Sequence, residues 1–376
     1  MALTLTATCL FGLEKQLGEE IEALGYKKTE TIDGRVSFLS DIEGIARCNI
    51  NLRLAERIYI QLGKFRANNF GELFDGVKAI AWEEWIGRSD AFPVKGHSIK
   101  SKLFSVPDCQ KIIKKAIAQR LEEEYGLTWF PEDGAKYQVE FFILKDVATV
   151  MIETSGMPLH KRGYRTEANA APLRETLAAA MVLTSRPRDN VLLWDPCAGS
   201  GTIAIEAAMI MCDIAPGLYR RFSAEAFPQI PEQIWARERE AARSRIHKSS
   251  FTAYASDIDD NCIRIAEANA QRAGVSEIVH TFKYDARSIR KPQDIRGTIV
   301  TNPPYGERMM TMPEVEMLYR ELGETFRALS PWQIYVLTSA TNFERLYGKR
   351  ADKIKKLYNG MIPCYLYQYF KQDRRF

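Results

Sequence analysis

Histidine is scarce in this chain and cysteine is scattered. Four histidines and seven cysteines in 376 residues form no Cys-x-x-Cys pair and no mixed cluster, so no metal site is expected. The cysteines, Cys9, Cys48, Cys109, Cys197, Cys212, Cys262 and Cys364, are odd in number and dispersed, which fits free thiols in a reducing compartment. No apolar run is long enough to span a bilayer. Met1 to Leu13 has no basic stretch ahead of its short apolar segment, so no signal peptide is expected. Repeats, low-complexity tracts and long flexible linkers are absent too. The formal net charge is only +4, which excludes a polycation. What these absences leave is a cytoplasmic protein long enough for two or three domains with real cores.

Charge is informative only locally. Arg88 to Arg120 holds eight basic residues, with Lys111, Lys114 and Lys115 on one amphipathic helix, against Asp90 and Asp108. From Phe343 onward nine basic residues face three acidic ones. Lys161-Arg162-Gly163-Tyr164-Arg165 combines cations with an aromatic. Such clusters suit a phosphate backbone or a base. They suit solvated helix faces and a basic interdomain linker equally well.

Periodicity divides the chain. Residues 1–65 read as a βαββαβ unit of ferredoxin-like order. Leu13, Leu17, Ile21 and Leu24 form a helical stripe, Asp33-Gly34 turns a hairpin, and Asp41 caps a second helix. Residues 66–155 read as a second α/β segment. In it Phe70 to Trp85 is helical, Ala91 to Ser101 is extended, and a helix begins near Pro107 and runs to Tyr125. A hairpin turned at Lys145-Asp146 closes it. Ser155-Gly156-Met157-Pro158 marks the boundary, and 156–171 reads as a linker. Residues 172–376 alternate short apolar strands with helices, predicting a mostly parallel sheet covered on both faces. Its end, a hairpin at Asn359-Gly360, predicts a class I methyltransferase layout: Rossmann-like and seven-stranded.

Between the strand Val191–Trp194 and the helix starting at Thr202 lies Asp195-Pro196-Cys197-Ala198-Gly199-Ser200-Gly201. Gly199 and Gly201 permit φ > 0 and lack Cβ atoms, so a charged cofactor can lie on bare backbone at the carboxyl end of a strand. Asp195 is expected near the amino-acid end of that cofactor. Asp257, after the next strand, suits both ribose hydroxyls, and Ile258 suits the adenine face. Asp285, followed by Ala286, ends the third strand and suits the adenine amino group. Asp257 and Asp259 also fit a plain helix start, and Asp259 is expected to be that cap. A lone Gly-x-Gly is common by chance, and an NAD-type site is disfavoured because Gly-x-Gly-x-x-Gly is missing. The long insert from Ile214 to Lys248 also displaces the usual acid.

The fourth strand stops at Asn302-Pro303-Pro304-Tyr305. Two prolines fix φ and make a stiff turn. The Asn302 oxygen and the Pro303 carbonyl suit the two N–H bonds of an exocyclic base amine, with Tyr305 stacked on the ring. Glu307 and Arg308 suit either the base edge or surface pairing. Carbon methylation through Cys197 is disfavoured, since that thiol lies in the cofactor loop. The ordered series of strand and acid, then strand and Asn-Pro-Pro-Tyr, points to methyl transfer from S-adenosylmethionine to a nucleobase amine.

The same residues resemble a known family. The turn Asp195–Gly201, Asp257-Ile258-Asp259 and Asn302-Pro303-Pro304-Tyr305-Gly306-Glu307-Arg308 look like the methyltransferase domain of THUMP-containing RNA guanine-N2 methyltransferases, bacterial large-subunit rRNA enzymes above all. Met157 to Arg165 and Pro172-Leu173-Arg174-Glu175 match that family's junction. The resemblance implies a THUMP segment at 66–155, an RNA partner, and guanine N2 as the target. Some relatives continue into a second methyltransferase domain. This chain stops near the closing hairpin, so a second activity is not expected. DNA adenine-N6 methylation, tRNA guanine-N2 methylation and a non-catalytic assembly role remain open alternatives. Nothing in the sequence addresses oligomeric state.

Overall fold

Short apolar alternations, each followed by a turn residue, build two seven-stranded sheets. The computed structural model describes residues 2–166, 173–291, 295–305 and 311–371. The first sheet begins with β1 (Leu3–Thr8), α1 (Glu14–Ala23), β2 (Lys27–Ile32), β3 (Arg35–Ser40), α2 (Ile42–Asn51) and β4 (Arg57–Arg66). It continues with α3 (Phe70–Lys78), β5 (Val94–Ile99), α4 (Val106–Tyr125), β6 (Val139–Leu144) and β7 (Val147–Glu153). Asp41 caps α2 by accepting from the Gly44 amide at 2.9 Å. Lys145 and Asp146 both take φ > 0, as a two-residue hairpin turn demands.

The strand order is β2-β3-β1-β4-β7-β6-β5. The βαββαβ unit is present, but its sheet does not end at residue 65. β4 pairs with β1 on one side and with β7 on the other, so both N-terminal segments share one sheet. The stretch from Phe70 to Trp85, expected as one helix, breaks after Lys78. There the Trp82 indole N–H turns back to the Val77 carbonyl at 2.8 Å, and residues Trp82–Glu84 form a separate 3-10 turn.

The second sheet is assembled from α5 (Glu175–Ser185), β8 (Leu192–Asp195), α6 (Thr202–Met211), α7 (Glu232–Ser244), β9 (Ala253–Asp257), α8 (Asp260–Arg272) and β10 (Val279–Lys283). It is completed by β11 (Gly297–Thr301), α9 (Met312–Ala328), β12 (Gln333–Thr338), α10 (Phe343–Tyr347), β13 (Lys353–Asn359) and β14 (Ile362–Tyr369). Its order, β10-β9-β8-β11-β12-β14-β13, is parallel through β12 and antiparallel at the closing hairpin. That is the expected class I layout. The order reverses between β8 and β11, the switch point at which open α/β sheets bind ligands.

The junction is packed rather than loose. Glu206 on α6 is fully buried, with Arg53 and Arg162 each at 3.4 Å and the Tyr164 hydroxyl at 3.2 Å. The segment from Ile214 to Lys248 is a bracket between the halves. Arg47 on α2 grips Glu238 on α7 with two hydrogen bonds, and Tyr137 stacks on Phe227 at 4.1 Å. A Cβ at Gly217 would lie 2.5 Å from the Asn49 carbonyl, so only glycine lets this segment lie against α2.

Candidate active site

Each of the first four parallel strands delivers one polar residue to the same edge. Asp195 ends β8, Asp257 ends β9, Asp285 follows β10, and Asn302 follows β11. A cleft of about 1350 Å³ opens there, and all four line it together with Pro196 to Ser200, Ile258, Ala286 and the turn Pro303 to Tyr305. Residues more than 100 positions apart in sequence are thus brought to one cavity by strand order alone.

The two motifs touch across the switch point. The Thr301 hydroxyl donates to Asp195 Oδ1 at 2.8 Å, and the Cys197 amide donates to the same oxygen at 3.2 Å. Burial pushes the Asp195 carboxyl up to about 7, against the pull of these two donors. Asp257 braces the glycine turn: its Oδ2 accepts from the Gly199 amide at 2.9 Å and its Oδ1 from the Asp259 amide at 3.1 Å. Asp259 is the N-cap of α8, accepting from the Asn261 amide at 2.9 Å. Ile258 between them is 60% exposed, unusual for an isoleucine beside a cavity and available to an apolar ligand face.

Gly199 and Gly201 both take φ > 0. They serve different ends, because a Cβ on Gly201 would sit 3.0 Å from the Ala266 Cβ. Gly201 therefore lets α6 pack against α8. The Cys197 thiol is pushed up by burial, then by the Asp195 and Asp257 charges, which leaves it protonated and a poor nucleophile.

At the Asn-Pro-Pro-Tyr turn, Asn302 Oδ1 is buried and accepts no hydrogen bond among the described residues. A buried orphan acceptor costs about 1–3 kcal/mol, so an acceptor retained at a cleft wall is suited to a donor on a bound ligand. Two residues that sequence reasoning passed over hold the turn. Tyr319 on α9 donates to the Pro304 carbonyl at 2.8 Å and lies 2.8 Å from the Thr338 hydroxyl. Asn359, at the tip of the closing hairpin, donates to the Tyr305 hydroxyl at 3.3 Å. Only the Asn-Gly turn signal could have flagged Asn359.

The match to known proteins covers this architecture end to end. Residues 162–368 match the model of an RMKL-like methyltransferase domain, 4–59 an RlmL ferredoxin-like domain, and 67–153 a THUMP domain. The chain belongs to the RMKL-like methyltransferase family. It is accordingly an S-adenosylmethionine-dependent RNA methyltransferase, with its ferredoxin-like and THUMP domains ahead of the catalytic domain.

Among its relatives, "Putative RNA methyltransferase YpsC" of Bacillus subtilis is 43% identical over 99% of this chain and 97% of its own length. "Ribosomal RNA large subunit methyltransferase K/L" of Psychromonas ingrahamii is 33% identical over 97% of this chain, which spans 50% of that longer relative. A solved structure described as SMU.472, a putative methyltransferase complexed with SAH, superposes with a TM-score of 0.91 at 40% identity, covering 100% of this chain and 99% of that one. Another, described as a predicted N6-adenine-specific DNA methylase from Listeria monocytogenes, gives 0.92 at 42% identity over 99% and 97%.

Several expected ligands of this methyltransferase are otherwise engaged. Arg162 does not reach out to RNA. It is 4% exposed, bonded to Glu206 and to the Leu159 and Arg53 carbonyls. Arg165 likewise clasps Glu175 with bonds of 3.1 and 2.7 Å. Both cations neutralise buried carboxylates, and Arg165 also lines the cleft. Lys161, between the boundary and this pair, is exposed at the cleft mouth. On α4, Lys111 and Lys115 are exposed, and Lys114 is bonded to Glu132 at 2.9 Å. Asp285 accepts from Nε and Nη2 of Arg287, which keeps its carboxyl below the usual range. Pro172, Gly306, Glu307 and Arg308 lie outside the described residues.

Proposed function

We propose that this methyltransferase modifies the exocyclic N2 amine of a guanine in large-subunit ribosomal RNA. The observation that carries the reading is the buried Asn302 Oδ1 at the cleft wall, without a partner among the described residues and two prolines away from Tyr305. An amine inside the cleft is the kind of donor that oxygen lacks. The family supplies the choice of guanine, and the relatives named for large-subunit rRNA supply the choice of RNA.

The cleft fits the cofactor. Gly199 presents backbone, Asp195 and Asp257 present carboxylates at two depths, and Ile258 presents an uncovered apolar face. When bound, S-adenosylmethionine supplies an electrophilic methyl group on a sulfonium. The rest is the work of this chain's own residues. Asp257 is assigned the ribose hydroxyls, Asp195 the ammonium end, and Ala286 with Asp285 the adenine edge. Asn302 Oδ1 and the Pro303 carbonyl accept the two N–H bonds of the guanine amine, withdrawing the nitrogen lone pair from the ring. Tyr305 stacks on the base and Asn359 tethers that ring. Tyr319 keeps the Pro304 peptide from rotating. The contribution is orientation and electrostatics. No strong base is required, because the amine turns acidic as it is alkylated. Lys161, Lys111, Lys114 and Lys115 are assigned RNA backbone contacts, and the free thiols fit a cytoplasmic setting.

The test is methyl transfer from labelled cofactor to unmodified ribosomal RNA, tRNA and DNA, with nucleoside mass spectrometry of each product. N2-methylguanosine confined to large-subunit RNA is the expected result. The same nucleoside in tRNA would move the substrate, and N6-methyladenine in DNA would overturn the reading of the base.

A further inference from the structure

The cleft has two electrostatic halves. Asp195, Asp257 and the paired Asp285 and Arg287 line the cofactor side, where a phosphodiester would meet carboxylates and no unpaired cation among the described residues. Cations line the side facing the interdomain junction, but most are spent. Arg165 is bonded to Glu175 at 2.7 Å and Arg174 to Glu56 at 3.1 Å. Two are not. Lys161 and Arg221 are exposed, line the cleft, and have no carboxylate partner among the described residues.

These two come from segments 60 residues apart, yet the backbone that carries them is tied together and both line the one cleft. Arg220, next to Arg221, donates to the Lys161 carbonyl at 2.9 Å and to the Pro158 carbonyl at 2.8 Å, and also bonds the Met157 carbonyl. The Arg220 guanidinium is mostly buried and has no carboxylate partner among the described residues. Its bonds go to main-chain oxygens, so it ties the 214–248 bracket to the junction backbone. A cation used this way costs desolvation. What it secures is the backbone next to Arg221 against the backbone of Lys161.

We propose that Lys161 and Arg221 form a two-point clamp for the RNA phosphates flanking the captured guanosine. The proposal rests on the RNA reading above and deepens it. The base enters toward Asn302 while its sugar-phosphate stays at the mouth, the unpaired cations grip it there, and the acidic wall keeps it from sliding onto the cofactor side. The bracket, a segment with no recognisable binding motif, thereby becomes part of substrate recognition.

The test uses the full chain carrying Lys161→Gln and Arg221→Gln together, beside a charge-conserving pair, Lys161→Arg and Arg221→Lys. In the neutral pair RNA affinity should fall about tenfold, and the slope of log affinity against log salt should shrink by about 1.4, as for two lost single-strand phosphate contacts. KM for RNA should rise with kcat nearly unchanged. Cofactor affinity and thermal midpoint should stay at wild-type values, and the charge-conserving pair should behave as wild type. An active wild type whose neutral pair keeps full RNA affinity and slope overturns the clamp alone. So does equal loss in the charge-conserving pair, which would mean shape rather than charge matters. A wild type that forms no N2-methylguanosine in any RNA overturns the functional reading, and the clamp with it.

Discussion

Asn302 and Asp195 are both buried polar groups at the cleft, and they should respond to opposite perturbations. Asn302→Ala removes an acceptor that has no partner among the described residues, so folding and cofactor affinity should hold. Turnover should fall about 100- to 1000-fold, the usual scale for losing one pre-aimed electrostatic contact. Single-turnover rates beside calorimetric cofactor titration separate the two, and an unchanged rate would remove Asn302 from the chemistry. Asp195 is a matter of protons. Its folded value near 7 lies above its ordinary 3.8, so between those values the folded protein holds a proton that the unfolded chain has released. That stabilising share is whole in acid and drains away as pH rises through about 7. The cofactor's ammonium favours the ionised carboxylate, so binding at about pH 6.5 should release a proton, and binding at about pH 8.5 should not. Calorimetry in buffers of different ionisation enthalpy measures this directly. Release that persists in Asp195→Asn would assign the proton elsewhere.

Among elements, α9 and the closing hairpin matter most to the chemistry, since each sends one side chain to the catalytic turn. Tyr319→Phe would leave the Pro304 carbonyl without the 2.8 Å bond it now accepts. The expected outcome is about 1 kcal/mol of lost stability and a several-fold lower kcat with cofactor affinity intact. An unchanged kcat would mean the prolines alone hold the turn. The strands that carry Asp195, Asp257, Asp285 and Asn302 were legible because each is a local run ending in a polar residue, and a parallel sheet aligns such ends. Tyr319 and Asn359 were not, since nothing local in a helix or a hairpin tip names a partner 15 or 54 residues away. The carboxylate partners of Arg162 and Arg165 were hidden for the same reason. A cation in sequence looks free until the fold supplies Glu206 and Glu175.

At the scale of the molecule, charge is spread over separate places: exposed Lys111 and Lys115 on α4, and Lys161 and Arg221 at the cleft. If α4 also meets RNA, replacing Lys111, Lys114 and Lys115 by Gln should shrink the salt slope by up to about two, with the smallest share from Lys114, already held by Glu132. Filter binding at several salt concentrations decides it, and an unmoved slope would make α4 a solvated face. The bracket's role was invisible in sequence because packing between halves leaves no periodic trace. So was the shared N-terminal sheet, since the Tyr59 to Glu153 register joins residues across two sequence domains. That sheet has a consequence for history and for handling. The family boundaries at 59 and 67 bracket most of β4 (Arg57–Arg66), a strand bonded on both flanks. Cutting there would strip one unit of an inner strand and leave the other a raw edge prone to aggregation. The two units should therefore melt cooperatively, resist proteolytic separation, and be inherited as a pair.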